Sequence, residues 1–127
     1  MTQVIARIAD GRYRTEVQIG RHSLVADEPE AMGGADEGPA PYDLILCGLG
    51  VCTAVTLRMY ADSKGWPASA VEVALQLRRA ASGMKIARSI TLTGLDDSQR
   101  ARLLDISERT PVTLTLKSGI AIETTLA

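Results

Sequence analysis

The hydrophobic and polar positions divide the chain into a strand-rich start, one stretch without a polar face, and a mixed second half. That middle stretch is PYDLILCGLGVCTAVTLRMYADSKGW, Pro41 to Trp66. From Leu44 to Leu57 it holds no charged residue, and apolar or small side chains occur at every helical angle. A surface helix shows one apolar stripe and one charged face. Here no charged face appears until Arg58, so a core helix covered on all sides is expected. The run is read as too short to span a membrane, which takes roughly 18 to 20 apolar residues.

The ends of the stretch fit a helix. Pro41 suits the first helical position, where its missing N–H costs nothing. Asp43 lies in the first turn, at the positive end of the dipole. Lys64-Gly65 followed by Pro67 forms a stop. Gly48, Gly50 and Ala54 are poor choices for an isolated helix, since each glycine costs about 1 kcal/mol against alanine. They make sense if another backbone comes close to that face.

Before this helix, residues 4 to 9 are apolar-rich and lead into Asp10-Gly11, a hairpin-turn pair. Tyr13, Thr15, Val17 and Ile19 alternate with polar neighbours, which predicts a half-buried strand. A short third strand is expected from His22 to Ala26, after Gly20-Arg21. DEPEAMGGADEGPA, Asp27 to Ala40, is acidic and rich in Gly and Pro, so it reads as a surface loop.

After the helix, Val71, Val73, Leu75 and Leu77 alternate with Glu72, Ala74, Gln76 and Arg78. A turn is expected around Ser82-Gly83. Ile86, Arg88, Ile90 and Leu92 then share one strand face, on which the arginine is out of place if the face is core. Asp96 and Gln99 have a capping-box shape and open a helix to about Arg109, with Leu103, Leu104 and Ile106 inward. Thr110-Pro111 ends it. Val112 to Leu116 and Ile120 to Leu126 are read as two final strands. The order is that of an α+β fold, antiparallel sheets packed on helices.

Composition narrows the picture. At 127 residues a single domain, 1–127, is expected. The net charge is −1 with no basic run, so neither nucleic acid nor an anionic membrane is indicated as partner. A fully apolar helix is hard to cover with the remaining residues, and a second subunit is expected to supply part of the cover. MTQVIARIAD lacks the pattern of a signal peptide. Two cysteines make no disulfide framework, and a reducing cytoplasm is the default.

Candidate chemistry is sparse. His22 is the single histidine and has no ligand-spaced partner, which argues for a structural role and against a metal site. Gly33-Gly34 and Gly38 lack the strand-turn-helix setting of a dinucleotide loop. Cys47 and Cys52 remain. A free cysteine usually packs as a small hydrophobe. The two are not expected to pair within one chain: five helical residues separate them by about 7.5 Å along the axis, their side chains point about 140° apart, and a disulfide wants Cα atoms about 5 to 6 Å apart.

Two long runs change the odds. GGADEGPAPYDLILCGLGVCTAVTLRMYADSKGWP (Gly33 to Pro67) and IARSITLTGLDDSQRARLLDISERTPVTLTL (Ile86 to Leu116) resemble the OsmC/Ohr family of osmotically inducible and organic hydroperoxide resistance proteins. The resemblance implies an intertwined homodimer with the long central helices of both subunits packed inside wrapped sheets. It also implies a cysteine peroxidase acting on organic hydroperoxides without a cofactor. Cys52 falls where the family has its peroxide-attacking cysteine, whose thiolate becomes a sulfenic acid.

The sequence departs from the pattern at other positions. The second family cysteine is replaced by Thr110, and a nearby family histidine by Thr113. Asp43 stands where relatives carry a Glu that holds an activating Arg; Arg21 and Arg12 are the candidates for that Arg. Thr110 cannot resolve a sulfenic acid, so the resemblance points to a one-cysteine cycle through Cys52 with an external thiol reductant. The alternative is a redox-inactive dimer that binds a small apolar ligand at its interface.

Overall fold

The computed structural model describes residues 3–127. They form two compact units, one ending at Ile45 and one starting at Leu46.

The first unit is built on β1 (Val4–Arg7), β2 (Thr15–Ile19) and β3 (His22–Ala26), an antiparallel sheet in the order β1-β2-β3. Val4 pairs with Ile19, and Thr15 with Ala26. The β2–β3 turn places Gly20 at φ 57°, where a side chain would be strained. The acidic loop that follows is more ordered than its composition suggests. It contains a 3-10 turn at Glu30–Met32 and closes around buried Asp27. The Asp27 carboxylate accepts N–H bonds from Glu28 (2.7 Å), Ala35 (3.3 Å) and Glu37 (3.2 Å). A Cβ on Gly34 would run into the Glu28 carbonyl and one on Gly38 into that of Val25, so both glycines are there for close approach of backbone.

Helix α1 (Pro41–Ser63) leads from the first unit into the second. Its start is capped by Asp43, whose carboxylate accepts the Ala40 N–H at 3.0 Å. Its end is a Schellman turn, with Gly65 at φ 67° and the Trp66 N–H on the Ala61 carbonyl at 2.9 Å. At 23 residues α1 is longer than its uncharged run, and by length and composition it could cross a membrane, contrary to the expectation from that run alone. Core helices pass the same test. The expected cover on all sides is only partial within the single chain. Leu49, Thr53, Leu57 and Ala61, spaced by four, form the buried stripe.

The second unit continues with a long hairpin, β4 (Ala70–Ala80) and β5 (Gly83–Thr93), paired from Ala70↔Thr93 to Ala80↔Gly83. Helix α2 (Asp97–Ser107) starts from the expected capping box: Asp96 accepts the Gln99 N–H, and Gln99 accepts the Asp96 N–H. The core joins Leu57 and Ala61 of α1 to Ala68 and Leu103, with Trp66, Ile90, Leu92 and Ile106 packed against them. Leu104, expected inward, is exposed, because it lies a helical step of about 100° from Leu103.

The two expected final strands are not formed. Residues Pro111–Ser118 are a helix, α3, and residues 119–127 have no regular structure. The strand-like alternation of Val112 to Leu116 is outweighed by local capping. Thr110 is the N-cap, its Oγ1 accepting the Thr113 N–H, Pro111 stands at the first helical position, and Gly119 follows the end.

Candidate functional site

The misplaced arginine of β5 turns out to be the centre of the second unit's polar architecture. Strand alternation puts Arg88 on the same face as Ile86 and Ile90, beneath α2 and α3, and its side chain is only 12% exposed. Burying a guanidinium is costly unless its donors are used. Here Nη1 donates to the hydroxyls of Thr53 on α1 (3.0 Å) and Thr113 on α3 (2.9 Å). Nη2 donates to the Ser107 carbonyl at the end of α2 (3.0 Å), one of the carbonyls that a helix C-terminus leaves open.

The acceptors are themselves tied together. Thr53 donates back to the Leu49 carbonyl at 2.7 Å. The Thr113 hydroxyl lies 2.6 Å from that of fully buried Thr110 and 3.3 Å from the Ser107 carbonyl. One arginine thus fastens α1, α2 and α3 to the hairpin. No buried side-chain nitrogen or oxygen among the described residues lacks a partner.

At the edge of this web Glu108 sits between two cations. Its Oε2 accepts from Lys117 Nζ at 2.9 Å, and its Oε1 lies 3.8 Å from Arg88 Nη2. The Lys117 hydrogen bond, then the charges of Lys117 and Arg88, hold the Glu108 carboxyl below its ordinary pKa. Next to these groups a groove of about 460 Å³ opens among β5, α2 and α3, with Leu49 of α1 in its lining. Ile86, Ile90, Leu104 and Leu116 give it apolar walls.

Of the residues expected to carry chemistry, Thr110 and Thr113 belong to this web, whereas Cys52 does not line the groove. Cys52 is free and half-buried, with its Sγ 4.0 Å from the Thr56 hydroxyl. Helical spacing places it with Ile45, Gly48, Val55 and Met59, on the side of α1 opposite the buried stripe. Met59 is 65% exposed and Val55 44%. Cys47 is also free and exposed.

Asp43 is occupied as a helix cap, as described above. Arg21 lies exposed in the β2–β3 turn, and Arg12 stacks over the Tyr13 ring with 5.7 Å to its centroid. His22 is exposed on β3. Arg88, Thr53, Ser107 and Glu108 were not singled out by the sequence as site residues. The one clue was an arginine alternating with isoleucines.

A family model described as OsmC-like protein matches residues 33–125. No curated protein sequence matches the chain. Solved structures with the same fold include an organic hydroperoxide resistance protein OsmC from Legionella pneumophila, 20% identical over 92% of this chain and 89% of that one, with a TM-score of 0.69. Another is a putative osmotic stress induced and detoxification response protein from Psychrobacter arcticus, 19% identical over 90% and 85%, with a TM-score of 0.73. A third is the organic hydroperoxide resistance protein OhrB of Bacillus subtilis, 21% identical over 91% and 90%, with a TM-score of 0.62. These likenesses establish an α+β fold of antiparallel sheets and three helices.

Proposed function

The chain belongs to the OsmC-like family, and from that premise we propose that it is a one-cysteine thiol peroxidase of the peroxide-defence type, working as a homodimer in the cytoplasm. The observation that carries the reading is the setting of Cys52, a free, half-buried thiol on the uncovered apolar side of α1. A second subunit laid on that side would enclose the thiol between apolar walls, and such walls suit the organic part of an alkyl hydroperoxide. The names of the Legionella and Bacillus structures, organic hydroperoxide resistance proteins, support the same substrate class.

In this reading the Cys52 thiolate attacks the terminal peroxide oxygen. The O–O bond breaks, the alkoxide leaves and takes a proton to become the alcohol, and Cys52 is left as a sulfenic acid. Thr110 has no sulfur, and its hydroxyl is bonded to Thr113 inside the Arg88 web. Resolution therefore falls to an external thiol. It attacks the sulfenic sulfur and releases water, and a second thiol breaks the mixed disulfide to restore Cys52.

The reduced protein, treated with one equivalent of cumene hydroperoxide and a sulfenic-acid trap, should gain one adduct that maps to Cys52. The adduct should vanish in Cys52→Ser and persist in Cys47→Ser. An unmodified mass would overturn the reading. That result would favour the alternative, a redox-inactive dimer holding a small apolar ligand at its interface. One feature already leans that way: within its own unit, the polar group beside Cys52 is the uncharged Thr56 hydroxyl and not a cation that would favour a thiolate.

A further inference from the structure

The groove among β5, α2 and α3 is lined by more positive than negative charge. Arg88 and Lys117 are both in its lining, and Glu108 is the one carboxylate there, so the lining carries a surplus of one positive charge. Arg88 spends its hydrogen bonds on neutral oxygens and meets Glu108 only at 3.8 Å. The Lys117–Glu108 pair is more than half exposed on both sides, and such pairs contribute little to stability. An incoming anion can therefore compete for Lys117 at small cost.

Beside this cationic end the walls are aliphatic. Leu104 and Leu116 are both substantially exposed, at 59% and 42%. The volume of about 460 Å³ lies in the range of small-molecule sites, which pair apolar walls with a few fixed polar groups.

We propose that this groove binds a small amphipathic monocarboxylate of the medium-chain fatty acid class. The carboxylate sits beside Lys117 and Arg88 and displaces Glu108 from Lys117, and the alkyl chain lies along Ile86, Leu104 and Leu116. Cys52 does not line this groove, and the proposal does not rest on the peroxidase reading.

Titration calorimetry of the full chain with decanoate and with decanol tests the assignment. Decanoate should saturate one site per chain and bind about tenfold tighter than decanol, because only the anion uses the surplus charge. Lys117→Gln should weaken decanoate about fivefold. Glu108→Gln, which removes the competing carboxylate, should tighten it. Leu104→Glu, a change at an exposed position, should abolish binding while the far-ultraviolet spectrum stays the same.

Absence of saturable decanoate binding would overturn the proposal. So would equal affinity for decanol, or indifference to the Lys117 and Leu104 substitutions, which would place the fatty acid elsewhere, for instance on the bare side of α1. If decanoate fails to bind and Leu104→Glu lowers the assembly mass in sedimentation, the groove is covered by a second copy and the proposal also fails. None of these outcomes touches the trap adduct at Cys52, so the two readings stand or fall separately.

Discussion

Arg88 shows how much one side chain can be asked to hold. Arg88→Met keeps most of the bulk but removes the donors shared by Thr53, Thr113 and the Ser107 carbonyl. Leaving buried oxygens without donors should cost about 3 kcal/mol, read as a lower midpoint in urea at unchanged slope. Thr113→Val should cost less, about 1 to 2 kcal/mol, since Arg88 keeps its other acceptors.

Asp27 holds its loop by a different kind of bond. The Glu28 N–H above all, then those of Glu37 and Ala35, hold its carboxyl below the ordinary value of 3.8, against the opposing effect of burial. A depressed pKa means that the folded state favours the charged form. The stabilisation is therefore complete above the unfolded value and is lost as pH falls through the folded one. Thermal melts from pH 6 down to pH 2.5 should show Asp27→Asn less stable than the parent at the upper end. The difference should persist down to about pH 4 and narrow as the pH falls further.

At the scale of elements, the contest between α3 and a strand shows what local sequence can hide. Val112-Thr113-Leu114-Thr115-Leu116 alternates like a strand and is rich in β-branched residues. The punctuation around it decides the outcome: a threonine N-cap, a proline at the first position and a glycine after the end. These cues stand in the sequence as Thr110-Pro111 and Gly119, but the same letters also fit the end of α2 and a turn between strands. Elsewhere the same kind of cue read correctly, as at the Asp96–Gln99 box. Asp96→Ala should cost about 1 kcal/mol by urea titration, with the core unchanged.

The candidate site was less legible than the elements. An arginine among isoleucines on one strand face marks an anomaly, but not its partners. Thr53, Ser107 and Thr113 lie 35, 19 and 25 residues away from Arg88 in sequence and meet it only after α1, α2 and α3 have packed. Cys52 was the opposite case. Its helix and its side of the helix follow from spacing and family resemblance, whereas its reactivity depends on groups that a pattern of letters does not place.

For the whole molecule, the uneven cover of α1 is the main fact. Its buried stripe faces its own unit, while Val51, Val55 and Met59 remain exposed, with Val51 at 63% and Met59 at 65%. A contiguous apolar surface of this kind marks an interaction site. The added Cβ of an alanine at Gly48 would meet nothing within 4 Å in the single chain, which leaves room there for a close-packed neighbour. In the homodimer proposed above, Val55→Asp should give a monomer in sedimentation at concentrations where the parent is a dimer. A parent that sediments as a monomer at all accessible concentrations would sink the dimer.

The bare side of α1 also bears on how the protein comes to be folded in a cell. A newly made chain can form its hairpin, its Arg88 web and its small core alone, because those contacts lie within one unit. In the homodimer proposed above, it then has to wait, with valines and a methionine in water, for another chain to arrive. On that reading the last step of its maturation is second order. The melting temperature should rise with protein concentration, and a scarcely expressed chain should lean on chaperones more than an abundant one.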